Sequence, residues 1–472
     1  MHMLRERAIP TAPALVGSGR LVPLVTGGTR PYVNLDYAAS APCLVAVERA
    51  VSELLDWYAS VHRGAGFLSD VCTRAYEGAR VAVGAFAGAR ADDTVVFTRN
   101  TTDAINLLAS ALPGGARVIV FASEHHANLL PWRGHDVTVL PVPRSPDEAV
   151  ARLDATLRVA HRRPTLVAVT GASNVTGELW PYAELTAVAH RHGARLLLDA
   201  AQLAPHHPVD ISAWNVDWIA LSAHKMYAPF GAGALIGRSD WLATGEPFLA
   251  GGGAVRYVGV PTFDGDTDGR GPIDVVWADL PDRAEAGTPN LVGAVALGVA
   301  CRTLEASDRV AQAAEETRLA DRAEAALAAI PGVRCHRMWD ATHPRIGVVC
   351  FSLAGVGYAT LAAALSAEHG IGVRHGCFCA HPLITDLLGI GQHQQTHLGR
   401  ALRKRSPVML PGAVRMSIGL GTTAAGIERL TQAVAEIAAD GPRWTYRTSA
   451  DGADAWPDPD PRPRPDLPFD LA

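Results

Sequence analysis

Between about residues 68 and 290, short apolar segments alternate with helical ones, and this rhythm restricts the fold more than any other feature of the chain. The strand candidates are 94–99 (TVVFTR), 117–122 (RVIVFA), 137–142 (VTVLPV), 165–171 (TLVAVTG), 195–199 (RLLLD), 217–222 (DWIALS) and 232–236 (AGALI). Helical stretches such as 103–112 and 182–193 lie between several of them. Strands that are apolar throughout need cover on both faces, and an intervening helix lets the next strand run in the same direction. The pattern predicts an α/β architecture: a large domain over 68–290 with a mainly parallel, seven-stranded sheet.

The rhythm changes near residue 291. An Ala-rich helical stretch (291–329) leads into strands near 333–338, 346–353, 371–375 and 413–418, which predicts a smaller α+β domain over 291–440. Residues 31–67 contain a short apolar segment and a helix bearing Val47, Ala50, Val51, Leu54, Leu55 and Tyr58, and read as an N-terminal segment joining the small domain. Residues 1–30, rich in Pro and Gly, read as a loose leader. From Gly441 to the end, seven prolines and several aspartates predict a disordered or extended tail.

Composition narrows the classes of function. A chain of 472 residues with 48% hydrophobic and 19% charged residues can build two cores. The net charge of -5 offers no electrostatic footprint for nucleic acid or an anionic membrane. No run of about 18 apolar residues is present, so no transmembrane helix is expected. Arg5, Glu6 and Arg7 are not followed by an apolar stretch, which argues against a signal peptide. Seven scattered cysteines suit free thiols in a reducing cytoplasm.

Only two lysines occur, Lys225 and Lys404, among many arginines. An arginine cannot form a Schiff base, because it yields no free amine at ordinary pH. Lys225 stands in ALSAHKMYAPFGAG, just beyond the strand 217–222, with Ser222 and His224 beside it. A plain loop lysine is the bland alternative. Asp199 ends LLLD, where a desolvated carboxylate needs a partner; an N-capping role is the alternative. Gln202 follows three residues later. Asn100, Thr101 and Thr102 form a strand-to-helix turn able to hold a phosphate, or simply to cap the helix. Glu124, His125 and His126 follow another strand; an imidazole there could stack on a ring, and adjacent histidines with no third ligand nearby make poor metal ligands. Together these supply what pyridoxal 5'-phosphate (PLP) requires: an amine, an acid for the pyridine nitrogen, phosphate donors and a stacking ring.

The segments LDYAASA (35–41), VHRG (61–64), TRNTTDAINL (98–107), SEHHANLLPW (123–132), SNVTGE (173–178), LLLDAAQ (196–202), HHPVDI (206–211), LSAHKMYAPFGAGAL (221–235), EAGTPN (285–290), GVRHGCFCAHP (372–382) and VRMSIGL (414–420) carry a resemblance. In number, order and spacing they resemble the class V aminotransferase family, most of all group II cysteine desulfurases and selenocysteine lyases. The resemblance spans about residues 32–438 and implies a fold-type I PLP-dependent transferase. It implies that Lys225 carries PLP as an imine, that Asp199 pairs with the pyridine nitrogen and Gln202 with O3', and that His125 stacks on the ring. It gives phosphate binding to Thr101, Thr102, Ser222 and His224, and places Asn174 near the cofactor hydroxyl and the substrate carboxylate. Arg415 would bind that carboxylate, with His62, Arg63 and Arg374 as further substrate-site residues. Thr288 resembles a residue reaching the phosphate of the other subunit, which implies a homodimer with shared active sites.

The expected activity is release of sulfur from L-cysteine, giving L-alanine and a persulfide on Cys379, followed by transfer to a sulfur-acceptor protein. Arg374, His375 and His381 could favour the thiolate; a loop cysteine without a role is the alternative. Rival readings are a selenocysteine lyase, another PLP-dependent C–S lyase or epimerase-like enzyme on a different amino acid, and a silent member of a sulfur-transfer complex.

Three features depart from the pattern. Cys377, in GCFC, is unexpected in group II enzymes and resembles the active loop of molybdenum cofactor sulfurases. It could relay a persulfide, form a regulatory disulfide or be the nucleophile itself. The segment between Cys379 and Arg415 is long, and Gly419-Leu420-Gly421-Thr422 replaces the usual Tyr-Asn-Thr ending.

Overall fold

The structure, a computed structural model, describes residues 12–159, 163–260, 272–406 and 408–465. The chain divides into two compact units, one comprising 41–172 and 180–309, the other 1–40, 173–179 and 310–472.

The larger unit holds the expected seven-stranded sheet. Its order is Asp93–Thr98, Gly233–Arg238, Trp218–Ser222, Arg195–Asp199, Thr165–Thr170, Arg117–Phe121, Asp136–Leu140. Four successive pairings are parallel, and Gly233–Arg238 runs antiparallel to both neighbours. The central strands are buried from end to end, as their unbroken apolar runs require. Val118, Val120, Leu166, Ala168, Leu197 and Trp218 pack against Ala104, Ile105 and Leu108 of the helix Thr101–Ser110.

The smaller unit is built on a four-stranded antiparallel sheet in the order Val333–His336, Val348–Leu353, Ala413–Ser417, Arg374–Gly376. The helices Arg309–Ala328, Tyr358–His369 and Ala424–Asp440 supply Leu319, Leu361, Leu365, Leu430 and Val434 to its core.

The boundaries differ from those read in the sequence. The Ala-rich stretch is two helices, Leu291–Glu305 and Arg309–Ala328, divided between the two units. The first packs Leu291 and Ala294 on Leu54, Cys72, Tyr76 and Ala79, so it belongs to the larger unit, as do residues 41–67. Within the 1–30 leader, residues 1–11 lie outside the described residues. The remainder runs into a hairpin of Leu21–Pro23 with Thr29–Pro31, and Val25 donates to the Ala367 carbonyl over 2.8 Å. The tail is likewise structured: Tyr446–Thr448 pairs with Ala455–Pro457. Buried Glu368 fixes the start of this segment by accepting from the Arg443 and Trp444 amides and the Tyr446 hydroxyl. The remaining tail residues, 466–472, lie outside the described residues. The long segment before Arg415 forms an exposed helix, Gln392–Arg403.

Candidate active site

In the larger unit the candidate residues cluster because parallel strands deliver their last residues to one edge of the sheet. Asp199 and Ser222 each end a strand, and Asn100 caps the helix after Thr98. Gly233 pairs with both Thr98 and Ser222, which ties these turns together. A side chain at Gly233 would stand 2.7 Å from the Asn100 Cα and 2.6 Å from the Leu221 carbonyl, so glycine is required for this approach.

Lys225 ends a single helical turn, Ala223–Lys225, directly after Ser222. The turn is held at its His224 carbonyl, which accepts from the Ala41 amide over 2.8 Å. Asp199 is buried, and its Oδ1 accepts from the Ala201 amide over 3.0 Å. Burial raises its pKa, while that hydrogen bond and the positive charge of Lys225 oppose the rise. The latter effect brings the expected amine and acid into one electrostatic environment. Burial, reinforced by Lys225, pushes His224 down to about 4, so its imidazole is neutral near pH 7. His125 accepts the Ala127 amide at Nδ1 over 3.0 Å, which leaves Nε2 as the protonated nitrogen. Thr101 is buried and its Oγ1 has no partner among the described residues, whereas Thr102 is exposed. Gln202 is buried close behind Asp199 in the chain.

One carboxyl here was named in the sequence without a role of its own. Glu124 is fully buried, accepting from the Thr170 amide over 3.1 Å and the Asn128 side chain over 2.8 Å. Burial pushes it up to about 8, with the charge of Asp199 acting in the same direction. It directly follows an apolar strand and Ser123, the same signal that singled out Asp199.

His62, Arg63 and Thr288 line one cavity of about 380 Å³ with Gly253, Asp282 and Glu285. Glu285 accepts from both Arg80 Nη atoms (2.7 and 3.0 Å), the Tyr76 hydroxyl (2.7 Å) and the Phe97 amide (2.6 Å). Thr288 and Arg63 are exposed, and His62 pairs with Glu77 over 3.1 Å.

The smaller unit gathers Asn174, Arg374, Cys379 and Arg415. Arg415 is buried; it donates to the Asn174 carbonyl over 2.8 Å and to Asp36 over 3.2 Å, while its Nε has no partner among the described residues. Burial lowers its pKa and Asp36 opposes that. Arg374 lies opposite Arg415 in the sheet register, is exposed, and acts on Asp36. Asp36, in LDYAASA, was not among the residues expected at the site. Its role as the counter-ion of Arg415 depends on a pairing across 379 positions, which no local motif shows. Cys379 is exposed in a turn whose central residues, Phe378 and Cys379, both have φ of 54°. The Ala380 amide closes that turn on the Cys377 carbonyl (2.9 Å), and the Phe378 ring lies under the Arg415 guanidinium (5.1 Å). His381 is exposed, and burial of part of its ring lowers its pKa.

Among the described residues no group of three or more His, Cys, Asp or Glu side chains could hold a metal ion, and no helix is long and apolar enough to cross a membrane.

A parallel-sheet end bearing an amine, a buried acid and a strand-to-helix turn defines a class of α/β proteins that take a ligand beyond the carboxyl ends of their strands. The chain belongs to the class-V aminotransferase family, which it matches over residues 33–430. It is 37% identical to the cysteine desulfurase of Dickeya dadantii over 368 residues, 75% of this chain and 85% of that protein. A probable cysteine desulfurase of Vibrio cholerae is 33% identical over 416 residues, 86% of this chain and 93% of the relative. Among solved structures, the cysteine desulfurase CsdA from Escherichia coli superposes with a TM-score of 0.69 at 31% identity, over 85% of this chain and 94% of that one. The apo cysteine desulfurase of Thermococcus onnurineus NA1 gives 0.71 at 28% identity, over 86% and 95%.

Proposed function

We propose that the protein is a PLP-dependent cysteine desulfurase that takes sulfur from L-cysteine, releases L-alanine and carries the sulfur as a persulfide on Cys379. The observation that carries the reading is the shared environment of Lys225 and buried Asp199, which ends its strand with Oδ1 accepting from the Ala201 amide. The orphaned Thr101 hydroxyl and the neutral His224 beside Ser222 fit a phosphate group.

PLP, when bound, supplies the electron sink that makes the substrate α-proton and the Cβ–S bond labile. Lys225 would hold the group covalently, and its freed amine would take the α-proton. Asp199 would keep a proton on the pyridine nitrogen, and Gln202 would donate to the ring hydroxyl. Thr101, Thr102, Ser222 and His224 would hold the phosphate, and His125 would cover the ring. Arg415, with Asn174, Arg374, His62 and Arg63, would orient the substrate carboxylate; a planar fork suits that group. Cys379, at the tip of its turn, would receive the sulfur. Thr288, exposed on the cavity that holds His62 and Arg63, supports a homodimer in which it reaches the partner's phosphate. The persulfide would pass to a sulfur-acceptor protein. Seven free cysteines fit a cytoplasmic location.

The test is a product assay on PLP-loaded protein across sulfur and selenium amino acids. L-Cysteine should yield alanine and, with reductant, sulfide, both lost in Cys379→Ala. Turnover of selenocysteine alone, or undiminished desulfuration by Cys379→Ala, would contradict the reading.

A further inference from the structure

The turn Cys377–Ala380 of the smaller unit carries two thiols. Cys377 is its first residue and Cys379 its third, with the Ala380 amide closing the turn over 2.9 Å. Gly376, Phe378 and Cys379 all have positive φ, at 101°, 54° and 54°. Two adjacent non-glycine residues in the left-handed region are costly and persist only where their surroundings fix them. Here the Asn174 side chain donates to the Phe378 carbonyl over 2.8 Å, and Arg415 stacks on the Phe378 ring. In so tight a turn, residues two apart have Cα atoms within the range that a disulfide spans, roughly 4.4–6.8 Å.

The other thiols of this unit are poorly placed to react with a group on Cys379. Cys350 is fully buried in the sheet, and burial holds it in the thiol form. Cys335 donates to the Glu324 carbonyl, and burial pushes its pKa up to about 11. Cys377 is half-buried at the foot of the turn, and Cys379 is exposed at its tip.

We propose that Cys377 is a second catalytic thiol, which, when no acceptor takes the sulfur, discharges the Cys379 persulfide as hydrogen sulfide by closing a Cys377–Cys379 disulfide. This rests on the desulfurase reading. The Cys377 thiolate attacks Cys379 Sγ. The new S–S bond forms between the two cysteines, the bond from Sγ to the outer sulfur breaks, and that sulfur leaves with the bonding electrons as hydrosulfide. The proton lost from Cys377 goes to solvent. The loop is oxidised by two electrons and the outer sulfur is reduced by two, so closure needs no outside oxidant. Two molecules of a low-molecular-weight thiol reopen the ring and become its disulfide.

The test is one turnover of the PLP-loaded protein with L-cysteine in the absence of reductant. Three readouts are followed: alanine, free sulfide and the mass of the alkylated peptide containing the turn. The wild type should give alanine and sulfide, with a peptide that has lost two hydrogens and takes up no alkylating agent. Cys377→Ser should retain the added sulfur on Cys379 and lose the sulfide release. Wild-type protein that forms alanine yet keeps the added sulfur on either cysteine, without sulfide, overturns the inference alone. Absence of alanine overturns the desulfurase reading, and the inference with it.

Discussion

The Asn174 side-chain amide donates to the Phe378 carbonyl over 2.8 Å, and so holds a turn whose next residue is Cys379. Asn174 is itself fixed by Arg415, which donates to its backbone carbonyl over 2.8 Å. One buried arginine thus positions both the expected carboxylate site and, through Asn174, the loop that bears Cys379.

Removing that amide should loosen the turn. A buried hydrogen bond of this kind contributes about 1 kcal/mol net. In Asn174→Ala the Ala380 amide, which closes the turn on Cys377, should exchange with deuterium roughly fivefold faster, by the same energy. Sulfide production should fall alongside. Unchanged exchange of the peptide spanning 374–388 would show that the turn is held by other contacts.

Arg415→Lys keeps the charge but loses the planar fork, while the Asn174 carbonyl and Asp36 remain to be satisfied. The KM for L-cysteine should rise about tenfold or more, since one charge-assisted hydrogen bond is worth roughly 1.5–3 kcal/mol. Cofactor absorbance should be retained. A KM equal to the wild type would remove Arg415 from substrate binding.

Glu124 gives a pH-dependent prediction. Its pKa in the fold is raised from an ordinary 4.5 to about 8, chiefly by burial. A raised carboxyl favours the folded state fully below the ordinary value, and this contribution is lost as pH climbs through the folded value. Glu124→Gln stays neutral throughout. Its amide can donate to Asn128 Oδ1, which has no partner among the described residues. Its unfolding free energy relative to wild type should therefore improve between about pH 4.5 and pH 8 and level off above, by up to about 5 kcal/mol. A difference that is flat across this window would mean that Glu124 ionises normally in the fold.

Glu285, which lines the cavity with Thr288, gathers Arg80, the Tyr76 hydroxyl and the Phe97 amide, all within 3.0 Å. Glu285→Ala leaves the Tyr76 hydroxyl and the Phe97 amide without this acceptor and strips a carboxylate from the largely buried Arg80 guanidinium, which keeps Glu77 and the Val95 carbonyl. Thermal or denaturant unfolding should show a loss of about 3–5 kcal/mol. A loss under about 1 kcal/mol, the range of an exposed ion pair, would show that the network is hydrated.

Most of the large sheet was legible because its strands are apolar on both faces and end in polar residues that no buried strand would keep without use. Asp199 and Ser222 stand out on that ground, and Lys225, three residues past its strand, as one of only two lysines. What was not legible depends on distant partners. The three-residue strands Leu21–Pro23 and Thr29–Pro31 are too short to show a period. The hairpin near the C-terminus stands on Glu368, more than seventy residues earlier in the chain, while its local composition reads as disorder. The helix Leu291–Glu305 is apolar on nearly every side, so its pattern could not say on which unit it packs. Asp36 and Glu124 sit within recognised motifs, but their importance lies in Arg415 and in burial, which spacing does not record.

The central claim is that Lys225 carries PLP. Because the chain has only two lysines, borohydride reduction of the PLP-loaded protein followed by peptide mapping tests it directly. The pyridoxyl mass should appear on the peptide containing Lys225, and the visible absorbance should vanish in Lys225→Ala. A label on Lys404, or on neither lysine in a protein that still turns over L-cysteine, would contradict the account.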